Sequence, residues 1–487
     1  MILDKIKIHD RYSLEIKFDY RLDKQKKATY YKINSYFFLP NSLDINRVTY
    51  TKTDFYNDIK TYIRLKTPVY LMRNLIIGDD SPFEKLKLSC LKLAENNSPE
   101  NCEHFEYFVK LYCSISQSTI RDNVFHITKS KMNHSNMYLI NNFISEIEAI
   151  SVKYRELESI VNIPTIPQNI FKIHEFGNEY LSNIIEIYLY KLLKVLSKKR
   201  IKEFSAIKLK VLSLIQSEIS YREEKGFNSL PNKERNNETL LYRRSVLKKY
   251  IGNKLFLKTN AMKDGNLTEQ LIFGIVAGIA MLFATAVAFV SKIKFGDLTF
   301  PFFIILIFSY MIKDRIKELS RMYFGMKIRK LFFDHKTKIY NDNKKIIGIS
   351  KESFDFVKEA KINPEIVKLR DRDHLTEIED GWVKEKIILF RKQIKIYSEQ
   401  FNSMYHDYNF EGIIDITRFN IEKFIKKMDD PQKQIYLTED DDFYKTTGDV
   451  VYHINAVIQY TINNDILYKR FRIVLNRNGI KRIEPVI

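Results

Sequence analysis

The sequence predicts a membrane-anchored α+β protein: a two-helix transmembrane hairpin, a largely helical cytosolic region, and small antiparallel β-sheets near both termini. Three observations predict it. "LIFGIVAGIAMLFATAVAFV", Leu271 to Val290, is twenty residues without charge or proline, in a chain where 29% of residues are charged. A second apolar run, Leu298 to Ile312, follows at once. The two ends of the chain alternate apolar and polar residues, whereas most of what lies between reads at helical spacing.

Twenty helical residues rise about 30 Å, the thickness of a hydrocarbon core. The second run is shorter, so a full span requires it to recruit Phe295 and to let Lys294 and Lys313 snorkel, or to sit in locally thinned bilayer. Basic residues crowd both flanks, which by the positive-inside rule places both termini in the cytoplasm and the protein in the inner membrane. On the first run, Gly274, Ala277, Gly278, Ala284, Thr285 and Ala288 share one third of the helix circumference. A small-residue stripe of this kind admits a second helix closely. The expected partner is the bulky second run, because a short loop makes that contact nearly free in entropy; the alternative is a second protomer. The runs hold no Asp, Glu, Lys, Arg or His, which favours an anchor over an ion pathway.

At the N-terminus, "YSLEIKFDYRL" and "ATYYKINSYFFLP" read as strands, and "TDFYNDIKTYIRL" as a helix capped by Thr53 or Asp54. Residues 1–75 are therefore a small α+β module. Residues 76–265 form a helical domain, broken at Pro164 and Pro167 and ending in a basic pre-membrane helix. The hairpin occupies 266–313, with spans of about 271–290 and 296–312. A basic helical stalk of coiled-coil spacing covers 314–345. Lys248, Lys249, Lys254, Lys258, Lys313, Arg315 and Lys317 are the side chains expected to meet anionic headgroups.

Residues 346–487 form a C-terminal α+β domain with a three-stranded meander. A turn at Asn463-Asn464 sets apolar on apolar, pairing 460 with 467, 456 with 471 and 454 with 473. "RNGIK" then marks a second hairpin at Asn478-Gly479. Before this meander, "DITRFNIEKFIKKM" offers Ile421, Phe424, Ile425 and Met428 as one helix face.

No motif for nucleotide binding, serine hydrolysis or zinc proteolysis is present. Cys90, Cys102 and Cys113 are spaced too widely for a zinc knuckle, and their small number points to a reducing compartment. Asp371, Asp373, His374 and Glu377 are the one cluster able to hold a divalent ion, although Arg370 and Arg372 interleave with them as on a solvated helix start. Tyr468, Arg470 and Arg472 stand on the polar face of the C-terminal sheet, a combination that stacks bases or holds phosphates. The net charge of +20 also suits an acidic partner.

No cofactor is called for. The function expected is a two-span inner-membrane protein with cytosolic interaction, sensing or scaffold domains, closer to a binding protein than to an enzyme. The alternatives are an oligomerising, membrane-permeabilising effector and a membrane-tethered, metal-dependent enzyme using Asp371–Asp380. The partners to expect are the lipid bilayer and its anionic headgroups, a homo-oligomer or another protein, with nucleic acid the least favoured.

Overall fold

The computed structural model describes residues 5–129, 134–198, 204–233, 236–296, 299–370, 385–405, 407–439, 442–462 and 465–486. The chain divides into two units. One comprises Met1–Ile63, Leu257–Tyr405 and Ile413–Ile487; the other Arg64–Phe256 with His406–Gly412.

The first unit is built on strands β1 (Lys5–Asp10), β2 (Ser13–Arg21), β3 (Ala28–Leu39), β4 (Ile59–Leu65), β5 (Lys258–Lys263), β6 (His335–Tyr340) and β7 (Ile346–Val357). They are followed by β8 (Lys386–Tyr397), β9 (Gly412–Asn420), β10 (Gln432–Glu439), β11 (Asp442–Asp449), β12 (Tyr452–Ile462), β13 (Asp465–Asn476) and β14 (Gly479–Pro485). Eight of them form one antiparallel sheet in the order β14-β13-β12-β3-β8-β7-β6-β5, and four form a second in the order β1-β2-β9-β4. Strands β10 and β11 make a separate exposed ribbon.

Alternation explains the layering. On β2, Leu14, Ile16, Phe18 and Tyr20 point inward and are buried. They meet inward residues of the large sheet, as where the Phe18 ring lies 6.2 Å from that of Tyr460. Phe55 stacks on Phe354 at 4.3 Å and reaches Phe390 and Phe419, closing the aromatic core between the sheets. At one edge the sheets are joined by Ile480 N–H donating to Arg11 O, at 2.9 Å. At the other edge Leu257 N–H donates to Ile63 O, at 2.9 Å, and beyond that bond β4 and β5 part.

The expected fold class is corrected here. The sheets are not small and terminal: the large one unites β3 near the start, β12–β14 at the end, and β5–β8 from the middle of the chain. Nor is there a two-helix transmembrane hairpin, because among the described residues only Asn266–Phe295 is long and apolar enough to cross a bilayer. The second helix, Phe300–Leu331, is apolar only as far as Ile312 and runs on into charge. The antiparallel register of the pair shows the consequence. Ser309 Oγ lies 3.5 Å from Ala284 O, and Arg321 sits 5.6 Å from the Phe273 ring. Lys313–Glu318 therefore stand level with the middle of the Leu271–Val290 run, where a second span would have to be apolar.

Two further differences are local. The helix after β3 is only Lys52–Asp58, with Thr51 as its N-cap in a reciprocal box with Asp54; the apolar residues beyond it form β4. Gly412–Asn420 is strand, so the helix expected there shrinks to Glu422–Ile425, although Ile421, Phe424, Ile425 and Met428 are all buried. The C-terminal register matches the expectation: Tyr460 faces Leu467, Ala456 faces Phe471, and Ile454 faces Ile473. The next turn falls on Arg477-Asn478, one residue earlier than expected. Gly479 follows at φ +128°, where an added Cβ would meet Arg11 O at 2.5 Å.

The second unit is helical, with Pro82–Glu95, Pro99–Lys129, His134–Glu156, Gln168–Lys198, Phe204–Glu224 and Glu238–Gly252 as its main helices. Cys90 and Cys113 are buried among them. Its centre is ionic as well as apolar. Glu179 and Glu186 project from one face of Gln168–Lys198 and are almost fully buried. Arg243 binds Glu179 through two nitrogens, and Arg244 reaches Glu186 at 2.9 Å. Both arginines belong to the basic flank that precedes the apolar run in the sequence, yet they are used inside this unit. The helix that carries them ends at Gly252 and gives way to β5, so it is not continuous with the apolar helix.

Candidate functional site

Where β4 and β5 part, a cleft of about 280 Å³ opens toward the space between the two sheets. Tyr56, Ile59, Thr61 and Ile63 line one wall, Thr259 and Ala261 of β5 the other. His335 and Thr337 of β6, with Ser350 and Glu352 of β7, form the back. The register explains this set, since Thr259, Ile339 and Gly348 pair in sequence across β5, β6 and β7, and the residues two positions away share their face.

Of the lining residues, Glu352 is the cross-strand neighbour of Lys392 on β8. Lys392 is 1% exposed and binds Glu352 at 2.9 Å, Asp415 at 2.5 Å and Thr417 Oγ1 at 3.2 Å. Two carboxylates thus share one ammonium inside the sandwich. Burial opposes the charge on Lys392, but Asp415 and Glu352 more than compensate and hold its pKa above the ordinary lysine value. Burial pushes the Asp415 carboxyl up, against the pull of Lys392. Tyr20 is fully buried nearby, its phenol pushed far up by burial and by Asp415, and its hydroxyl makes no hydrogen bond among the described residues. The Ser350 hydroxyl, 1% exposed, is also without a partner among them.

At the mouth, Asp334 organises the backbone. It accepts from Lys52 Nζ at 2.7 Å, from the Tyr56 hydroxyl at 3.0 Å and from Phe354 N–H at 2.8 Å. The Tyr56 ring lies edge-on to His335 at 4.3 Å. Burial and the Asp334 charge raise the Tyr56 phenol, so it stays a donor. The cleft therefore offers acceptors (Glu352, Ser350 and three threonines) beside apolar walls, which suits a small ligand rich in hydrogen-bond donors. Among the described residues no group of three or more His, Cys, Asp or Glu is placed to hold a metal ion.

The residues singled out from the sequence lie elsewhere. Asp371, Asp373, His374 and Glu377 fall outside the described residues. Arg470 is 1% exposed and Tyr468 donates to Glu365 Oε2 at 2.9 Å, so this part of the sheet face is covered by the helix Pro364–Arg370. Arg472 stands half-buried beside them. Gly274, Gly278 and Thr285 are exposed, and Ala277, Ala284 and Ala288 half-buried. A Cβ added at Gly274 or Gly278 meets nothing within 4 Å. Val276, Ala280 and Ser291 are buried beside the stripe, and Ala284 O lies 3.5 Å from Ser309 Oγ of the companion helix, which thus reaches one edge of the stripe and leaves the glycines open. Lys248 and Lys249 are exposed in the helical unit, where Lys254 pairs with Glu103. Lys258 is exposed on β5. Lys313 lies 3.5 Å from the Tyr310 ring, Arg315 pairs with Glu318, and Lys317 is half-buried on the same helix.

The buried charges at and behind the cleft did carry a signal. In "SKESFDF", "LFRKQIKI" and "GIIDITRF", Glu352, Lys392 and Asp415 each occupy the apolar phase of an alternating strand. Three opposite charges in inward positions call for one another. No family model matches the sequence, and neither a curated protein nor a solved structure is similar to it.

Proposed function

We propose that this chain is a membrane-attached binding protein of the cytoplasmic membrane, in which the helix Asn266–Phe295 seats in the bilayer and the sandwich carries a ligand cleft at its seam. The observation that carries this reading is the exposure of that helix. Only 11% of its most apolar stretch is buried, and it lies in mid-chain. A core helix would be covered by protein, and a signal sequence would stand near the N-terminus. Leu271, Ile275, Ile279, Leu282, Val290 and Ile293 are each at least 60% exposed. In water, each would forfeit roughly 1.5–3 kcal/mol of burial, so lipid is the medium that fits them. Both termini and the cleft then share the cytosolic side. A homo-oligomer is the second reading, supported by the open Gly274–Gly278 face, which a helix from another copy could approach closely.

The test uses the way the helical arm is attached. Gly265 and Phe332 are in contact at its base, and β5 and β6 pair directly beneath them. Replacing 266–331 with a short Gly/Ser linker should therefore leave the sandwich closed. The full chain is expected to resist carbonate extraction and to need detergent, while the excised chain should be soluble with its strand signal in circular dichroism retained. Carbonate release of the full chain, or membrane retention of the excised one, would sink the proposal.

A further inference from the structure

The outward face of the eight-stranded sheet has two halves. One half carries Tyr36, Phe38, Ile387 and Val457 beneath Ile362 and Ile366 of the covering segment. On the other half the register lines side chains up in rows across the strands. One row runs Lys336, Lys351, Gln393, Lys32 and Thr461. The next runs Lys338, Ile349, Lys395 and Tyr30, and on the far side Arg391 pairs with Asn34. Strands stand about 4.8 Å apart, so from β6 to β3 these six cations fall within roughly 15 Å. Among the described residues no carboxylate lies in these rows, and Lys351 alone of the six binds one beside them, Asp264 at 3.0 Å.

The surface is grooved and aromatic as well as basic. A trough of about 480 Å³ runs over Tyr30, Lys32, Lys336, Lys351 and Lys395. Lys395 Nζ lies 5.1 Å from the Tyr30 ring and 5.0 Å from that of Tyr397. Tyr30 is 58% exposed. The matching occupant carries several negative charges within a nanometre or so together with flat rings. A bilayer surface supplies the charges without the rings.

We propose that this basic half of the sheet binds single-stranded nucleic acid, the lysine rows taking phosphates and Tyr30 stacking a base. The sequence had placed such a site at Tyr468, Arg470 and Arg472, on the same face but in its covered half.

The experiment uses the full chain in nanodiscs of neutral phosphatidylcholine and a fluorescein-labelled oligothymidylate of roughly 12 nucleotides, read by anisotropy across a salt series. Wild type should bind, with log affinity falling linearly in log salt at about 0.7 per phosphate neutralised. Lys32→Ala, Lys336→Ala and Lys395→Ala combined should weaken binding at least tenfold and flatten the slope by about 2. Tyr30→Ala should weaken binding about fivefold or more and leave the slope alone. Equal binding by wild type and the triple variant would locate the contact elsewhere and overturn the proposal. So would absence of oligonucleotide binding, including the case in which phosphatidylglycerol vesicles capture wild type and not the triple variant.

Discussion

Lys392 shows how one side chain can hold the middle of the sandwich. Its ammonium is the only cation within reach of Asp415 and Glu352 among the described contacts, and all three are buried. Lys392→Met keeps the volume but leaves two carboxylates facing each other in a medium that cannot solvate them. A loss of roughly 3–5 kcal/mol is expected in urea denaturation, and adding Asp415→Asn with Glu352→Gln should recover much of it. A single Lys392→Met variant as stable as wild type would exclude this role. His174 makes a pH-dependent contribution in the helical unit. It stacks on Tyr154 at 4.8 Å, its Nε2 lies 3.2 Å from Tyr154 O, and burial pulls its pKa down to about 4. The folded value lies below the ordinary one of 6.5, so the neutral form is the one the fold favours. That stability is complete above pH 6.5 and is lost as pH falls from 6.5 toward 4, by about 3 kcal/mol for a shift of this size. Helical circular dichroism in urea should show wild type weakening across that window more steeply than His174→Gln. Parallel profiles for the two would refute it.

At the level of elements, the register of the C-terminal hairpin matched its alternation, whereas the second apolar run did not make a span, the stalk ended at Leu331 before the strand His335–Tyr340, and the short mixed patterns were misread. The residues after Thr51 and those before Ile421 can satisfy either a helix or a strand. What decides is whether an open edge waits for them, and β4 and β9 fill two adjacent places in the small sheet. The β10–β11 ribbon is the opposite case, an element with local pairing and nothing to cover it. All its residues are exposed or nearly so, and Val450 N–H bonds Pro431 O at 2.9 Å across its base. Deleting Gln432–Asp449 across that base should shift the thermal midpoint by no more than a few degrees, since little buried surface is lost. A collapse of the sheet signal on deletion would mean that the ribbon holds the fold.

For the molecule as a whole, the pairing of β3 with β12 has a topological consequence. Asn455 faces Phe38 and Ile462 faces Tyr31, so the two ends of the chain belong to one sheet. They must lie on one side of any membrane that the helix Asn266–Phe295 enters, and β5 and β6 lie there too. Reporters fused at either terminus are expected to give the same cytoplasmic signal, judged by alkaline phosphatase and fluorescent-protein fusions. Opposite signals from the two ends would be incompatible with the sheet. The cytoplasmic side itself is the expectation from flanking charge, and Arg243 and Arg244 of that flank neutralise buried glutamates instead.

What the sequence by itself determined was set by local, repeating chemistry. The uncharged Leu271–Val290 run, the helices broken at Pro164 and Pro167, and the register of the C-terminal hairpin each depend on residues close together in the chain. Tertiary structure alone decided which strands share a sheet, where that sheet stays open, and which half of its outer face is covered. Glu352, Lys392 and Asp415 come from three strands, and Lys32 shares a row of the sheet with Lys336 across some three hundred intervening residues. Strand pairing conveys only that an edge is available, through backbone groups that every residue carries, so a partner so distant leaves no mark in the local pattern.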